Sequence, residues 1–146
     1  MDLYSRKIVG WSMRDDLEAP LVVDAISMAI ARRTPKPGLV HHSDRVSQFT
    51  SLAFGRTLRD SKIMASMGSK GDPWDNASAE SCISTIKNEL VKRRTFQTRD
   101  QARLALFRYI ESFYNTLRRH SSIGMLSPDE FESRRYWEDN NAAAAA

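Results

Sequence analysis

Leu39-Val40-His41-His42-Ser43-Asp44-Arg45 is a short apolar run stopped by three polar residues in succession. It reads as a strand over Leu39 to His42 that ends where the polar group begins. Asp44 then stands just past a strand end, at the carboxyl edge of a sheet, where α/β folds bind their ligands. A lone aspartate there is more often a turn residue, so the surrounding pattern decides its meaning. Upstream, Val9, Trp11 and Met13 alternate with Gly10 and Ser12, which predicts a strand from about Leu3 to Met13. Leu21, Val22, Ala25, Ile26, Ala29 and Ile30 recur at helical spacing and run out at Arg32-Arg33 and the turn Thr34-Pro35-Lys36-Pro37-Gly38. Downstream, Ser51 to Asp60 reads as a helix and Lys62 to Met67 as a strand. Strand, helix, strand, helix, strand is the α/β pattern.

The second half is helical. A loop, Gly68-Ser69-Lys70-Gly71-Asp72-Pro73-Trp74-Asp75-Asn76, leads to a helix over about Ala77 to Leu90, with Asn76 as its N-cap. Glu80 falls in its first turn, where an acidic side chain complements the helix dipole. Lys87, seven residues on, projects from nearly the same side. Thr98-Arg99-Asp100-Gln101 has the form of a capping box and opens a long helix with Ala102, Ala105, Leu106, Tyr109, Ile110, Phe113 and Leu117 as its apolar face. Ser127-Pro128-Asp129-Glu130 is a second capping box, with proline at the first helical position. Residues 1–133 are taken as the domain and 134–146, ending in five alanines, as a frayed or disordered tail.

Composition narrows the class. The chain of 146 residues is 41% hydrophobic and 27% charged, enough for one globular domain that buries roughly 70% of its unfolded surface. No apolar run approaches the roughly 18 residues needed to span a bilayer, and the first residues lack a secretory signal. A membrane protein is excluded on this reading and the cytoplasm is the expected compartment. The lone Cys82 with three histidines gives no zinc pattern, and Cys82 is expected to be a buried, inert thiol. The net charge of +4 is unevenly spread: Lys87 to Arg119 holds nine basic and three acidic residues, leaving the remainder net negative. Such asymmetry suits a protein whose one face approaches a polyanion while another gathers carboxylates.

These pieces become specific together. Thirty-five residues separate Asp44 from Glu80. With His41-His42-Ser43-Asp44-Arg45 around the first and Asp75-Asn76-Ala77-Ser78-Ala79-Glu80-Ser81 around the second, the chain resembles the integrase core of bacterial insertion-sequence transposases, in the retroviral-integrase superfamily. Asp2-Leu3-Tyr4-Ser5-Arg6-Lys7-Ile8-Val9-Gly10-Trp11, Ile86-Lys87-Asn88-Glu89-Leu90, Tyr114-Asn115 with Arg119-His120-Ser121, and Leu126-Ser127-Pro128 match further segments in the family's order. The resemblance covers about residues 2 to 133.

The resemblance implies a ribonuclease H-like fold, a mixed α/β sheet with flanking helices. It implies that Asp44 and Glu80 are the second and third carboxylates of an acidic triad holding two divalent metals, magnesium or manganese. It also implies that Lys87, Arg118, Arg119 and His120 contact DNA. The chemistry accounts for the residue types, since cutting and rejoining phosphodiesters needs an activated hydroxyl and a shielded phosphate. Hard cations take oxygen ligands, hence Asp and Glu. The implied partners are transposon ends and target DNA, a second copy of the chain, and full-length transposase or an upstream helix-turn-helix protein.

Departures from the family pattern carry expectations of their own. The family's first aspartate lies on an opening strand ahead of the segment matched by Asp2, so the chain is expected to be N-terminally truncated, to lack that strand, and to be inactive alone. Asp2 is not expected to substitute. Val46 stands where glycine is common and would be strained if the turn needs a positive φ. Phe49 replaces a usual tyrosine, and Cys82-Ile83 replaces a bulkier aromatic, which would loosen packing beneath Glu80. His41 and His42 are read as packing residues, and Trp74 either as a base-stacking ring or as a core cap. Beside the transposase reading stand a non-catalytic DNA-binding or regulatory module and an inactive remnant.

Overall fold

The computed structural model describes residues 1–67 and 77–144, with side chains through 141. The Asn76 cap and the Trp74 ring lie outside the described residues. The chain divides into two compact units, one of Val9–Thr85 and one of Met1–Ile8 with Ile86–Ala146.

In the unit Val9–Thr85, helix α1 (Ala19–Arg33) has proline in its first turn and stops at Thr34, whose left-handed backbone (φ 42°) lets its N–H reach the carbonyl of Ile30. Arg32 and Arg33 close its last turn, where cations favour the dipole. Strand β1 (Val40–Ser43) and strand β2 (Met64–Met67) pair in parallel, with His41 opposite Ala65 and Ser43 opposite Met67. A parallel pair needs a crossover, and helix α2 (Leu52–Asp60) provides it, begun by the Ser51 hydroxyl accepting from the Phe54 N–H. Phe54, Leu58 and Ile63 form the core, packed by Val22, Val23, Ile26 and Ile30 of α1 and by Phe49. The sheet among the described residues is this parallel pair, rather than the mixed sheet expected.

The expected strand over Leu3 to Met13 does not form as a ladder. Leu3–Ser5 is a turn, closed by Asp2 Oδ1 accepting from the N–H groups of Tyr4 and Ser5 at 2.8 and 3.3 Å. Arg6 takes a left-handed φ of 62°. Further on, Gly10 lies on α1, so close that a Cβ would stand 2.2 Å from the Ala25 carbonyl oxygen and 2.9 Å from the Ala29 Cβ. Alternation reports which side chains share a face. It does not supply the partner strand that a ladder requires.

In the other unit, helix α3 (Ala77–Glu89) contributes its last turn from Ile86. Helix α4 (Arg99–Tyr109) begins as expected, with the Thr98 hydroxyl accepting from Gln101 N–H at 3.2 Å, while the Gln101 side chain reaches back to the Gln97 N–H at 3.0 Å. Its continuation differs. Ile110–Tyr114 is a π turn, marked by the Asn115 N–H bonding the Ile110 carbonyl at 3.0 Å. One extra residue in the turn rotates everything after it. Tyr114 and Asn115 are therefore buried, whereas Phe113 and Leu117, expected on the inner face, are exposed.

Asn115 uses this placement. Its Oδ1 accepts from the Ile8 N–H at 2.9 Å and its Nδ2 donates to the Ile8 carbonyl at 3.1 Å, so one side chain satisfies both backbone groups of a buried residue. Its own carbonyl accepts from Asp129 N–H at 2.9 Å, at the start of helix α5 (Pro128–Ala144). That start is the reciprocal box expected: Ser127 N–H to Glu130 Oε2 at 2.9 Å and Glu130 N–H to Ser127 Oγ at 3.3 Å. Lys7 pairs with Asp129 at 2.6 Å and Glu132 at 3.4 Å. From Ser133 onward the described side chains of α5 are exposed. Among the described residues no helix is long and apolar enough to cross a membrane.

Candidate functional site

Asp44 directly follows β1, at the carboxyl end of the parallel pair, and is exposed. Ser43 before it is buried, so the chain is anchored one residue away from a free carboxylate. Glu80 sits in the first turn of α3 and is also exposed. Both belong to the unit Val9–Thr85. Neither has a hydrogen bond or ion pair among the described residues. A surface carboxylate without a partner keeps its lone pairs for a cation, and two such groups are the donor chemistry that hard divalent metals select. Among the described residues no group of three or more His, Cys, Asp or Glu side chains is arranged to hold a metal ion.

The residues around Asp44 pack as expected in part. The His41 ring lies edge-on to Phe54 at 5.3 Å and near Phe49 at 6.2 Å, so His41 and the Phe49 replacement both serve the core. Burial holds the His41 pKa below the usual histidine value. His42 Nδ1 lies 3.1 Å from the Ser66 hydroxyl on β2. The strain considered at Val46 is absent, since its φ is not positive; its carbonyl instead accepts from Phe49 and Thr50 in a turn. Cys82 is buried as expected, whereas Ile83 is 52% exposed.

The basic candidates lie in the other unit. Lys87 is exposed on the last turn of α3 and Arg119 is exposed after the π turn. Arg118 is differently placed. Its Nε and Nη2 donate to Glu89 at 2.9 to 3.1 Å, its Nη1 lies 3.3 Å from His120 Nδ1, and its guanidinium rests 5.7 Å from the centre of the Tyr114 ring. All three guanidinium nitrogens are engaged within the protein. The Tyr109 hydroxyl completes the cluster, donating to Glu89 Oε2 at 2.6 Å. Glu89 and Tyr109 received no role from the sequence. Glu89 shares a helical stripe with Cys82, Ile86 and Leu90, and an acid on an inward stripe is the signal that a cation must meet it.

Hydrogen bonds from Arg118 and Tyr109 hold the Glu89 carboxyl below the ordinary carboxylate range, against burial. Burial, then the nearby Arg118 charge, holds His120 below the usual histidine value, while Tyr109 is raised by burial and by Glu89. The pH consequence has a definite sign. A histidine whose folded pKa is lowered takes up its proton more readily when unfolded, so stability falls as pH drops below about 6.5 and through the folded value. The Glu89 contribution is lost separately, in the acid range below about 4.5. Melting temperature measured from pH 8 to 5 is expected to decline, and His120→Gln to flatten that decline; an equal slope in the variant would show that His120 does not titrate in this window.

Residues 1–73 and residues 61–128 each match a profile described as Integrase core domain. The transposase for insertion sequence element IS904 of Lactococcus lactis subsp. lactis (strain IL1403) is 45% identical over 132 residues, covering 90% of this chain and 52% of that protein. The transposase InsF for insertion sequence IS3A of Escherichia coli (strain K12) is 39% identical over 134 residues, covering 92% of this chain and 46% of that one. The chain thus spans about half the length of the curated relatives it matches. Among solved structures, a chain of the simian T-cell lymphotropic virus intasome in complex with PP2A regulatory subunit B56 gamma aligns with a TM-score of 0.63 at 13% identity, covering 81% of this chain and 41% of that one. At that identity the likeness concerns the fold, which fits the ribonuclease H-like α/β class.

Proposed function

Because the chain belongs to the integrase core domain family, of the insertion-sequence transposase type, we propose that it forms part of the surface with which such a transposase cuts and joins DNA. The observation that carries this is the placement of Asp44 and Glu80, two exposed and unpartnered carboxylates in one compact unit, one at a strand's carboxyl end and one in a helix's first turn. Both supply the oxygen donors that magnesium or manganese takes, so the residues present fit a divalent ion. When bound, the metal supplies an activated hydroxyl and a shielded phosphate. The chain's own part is to hold its carboxylates at the end of β1 and on α3, and to bring DNA to them.

Asp44 and Glu80 are taken as two carboxylates of the acidic triad that the family resemblance implies. Asp2 is not proposed as a third; its Oδ1 shapes its own turn by accepting from the backbone of Tyr4 and Ser5. DNA contact rests on Lys87 and Arg119, with Arg118 and His120, engaged with each other and against Tyr114, acting beside them. The relatives are transposases, and one structural neighbour is an intasome chain; transposon-end and target DNA, and further copies of the chain, are the partners proposed here.

DNA binding is the first test. Affinity for a duplex should fall linearly in log–log form with salt, by about 0.9 per phosphate contacted. Lys87→Ala and Arg119→Ala are each expected to make that slope shallower by about one contact. Affinity that does not respond to salt, or slopes unchanged in both variants, would remove the basic face from the proposal.

A further inference from the structure

Helix α3 carries apolar side chains on both sides. Cys82 and Leu90 are buried, yet Ile83 is exposed, and so is Ala79. In its last turn, from Ile86, only Ile86 is apolar and it is half-buried, so apolar burial does little to fix the rotation of that turn. Hydrophobicity alone therefore does not decide which side faces water. Glu89 removes the ambiguity. It stands roughly 200° around the helix from Lys87, and its carboxylate is met by Arg118 through Nε and Nη2 and by the Tyr109 hydroxyl. Directional bonds to both carboxylate oxygens are satisfied at one rotation of the turn and broken at the next.

We propose that the network of Glu89, Arg118 and Tyr109 is a positioning device that fixes the rotation of the last turn of α3, so that Lys87 faces DNA with the charge of Glu89 cancelled behind it. Its consequence for DNA rests on the function proposed above; its geometry does not. The arrangement gives Arg118 a task other than direct phosphate contact. A free carboxylate two residues from Lys87 would repel the phosphate that Lys87 attracts, and a bidentate guanidinium cancels it. Tyr114 supports the guanidinium from one face and His120 Nδ1 takes its remaining edge, so the cation is itself held in place. Glu89 and Arg118 are both partly exposed, so their pair adds little to stability and its part is to hold one arrangement.

The test separates position from stability. Glu89→Leu, Arg118→Met and Tyr109→Phe together replace the network by apolar groups, a change often near neutral for folding. A nitroxide attached through Lys87→Cys, in a Cys82→Ala background, reports the surroundings of position 87 without DNA. The unaltered network is expected to give one mobile spectral component, and the triple variant a second, immobilised one. In parallel, Lys87→Ala should lower the salt slope by about 0.9 with the network intact and by less than half of that in the triple variant. Identical nitroxide spectra in the two backgrounds would overturn the proposal. A redistributed label in a chain that binds no DNA would uphold the positioning role and defeat the DNA reading instead. Should the triple variant fail to fold, Glu89→Gln keeps the shape but loses the charge; two components are then expected, and an unchanged spectrum overturns the proposal.

Discussion

Asn115→Ala is expected to lower the melting temperature by about 10 to 15 °C. The Asn115 side chain satisfies both backbone groups of Ile8, which is 5% exposed, so its loss strands a donor and an acceptor away from water. Each stranded group costs about 1 to 3 kcal/mol. The cavity left by the amide adds to this, and a total of about 3 to 5 kcal/mol converts to that shift for a chain of this size. Asn115→Asp makes the sharper comparison. The shape is preserved and the acceptor toward the Ile8 N–H survives, but an oxygen replaces the donor and confronts the Ile8 carbonyl. The aspartate variant should therefore melt nearly as low as the alanine one at pH 7, and recover as acid protonates its carboxyl and restores a donor. Melts of both variants within about 2 °C of the parent would mean that the Ile8 groups find other partners, and that the π turn is not held for this purpose.

The same residue shows where sequence and structure part company. Local signals were legible: Ser127 and Glu130 form the reciprocal box, and Thr98 caps α4, although Gln101 reaches the Gln97 N–H rather than the Thr98 N–H of a full box. The parallel β1 and β2 with their α2 crossover were legible too, from short apolar runs around a helical pattern. The π turn was not, because its extra residue is set by what Asn115 meets on a segment more than a hundred positions away. Leu3 to Met13 failed for a related reason. Its alternation is genuine, yet the Ile8 groups go to an amide and Gly10 goes to α1, and nothing local foretells either. The proposed site was suggested only by spacing, Asp44 and Glu80 being unremarkable as single residues, while Glu89 gave its sign only by sharing a stripe with Cys82, Ile86 and Leu90, and what meets it, Arg118, lies 29 positions away.

Under the proposed function, DNA cutting draws on Asp44 and Glu80 holding a divalent ion together with a further oxygen ligand. A divalent ion in this chemistry draws on several oxygens at once, and two carboxylates brought together without a cation repel each other. Supercoiled plasmid with magnesium or manganese reads the outcome directly, with nicked circles counted for the chain alone and for the chain extended by a segment bearing the family's opening strand and its aspartate. The extended protein should nick. Asp44→Asn or Glu80→Gln in it should lower the rate by about a thousandfold or more, a loss of about 4 kcal/mol of transition-state stabilisation. Lys87→Ala should act differently, raising the DNA concentration needed while sparing more of the maximal rate, because it removes a contact made before the chemistry as well as during it. Nicking that survives both carboxylate substitutions would place the metal elsewhere, and nicking by the unextended chain that depends on Asp44 would show that residues 1–146 already hold a third ligand.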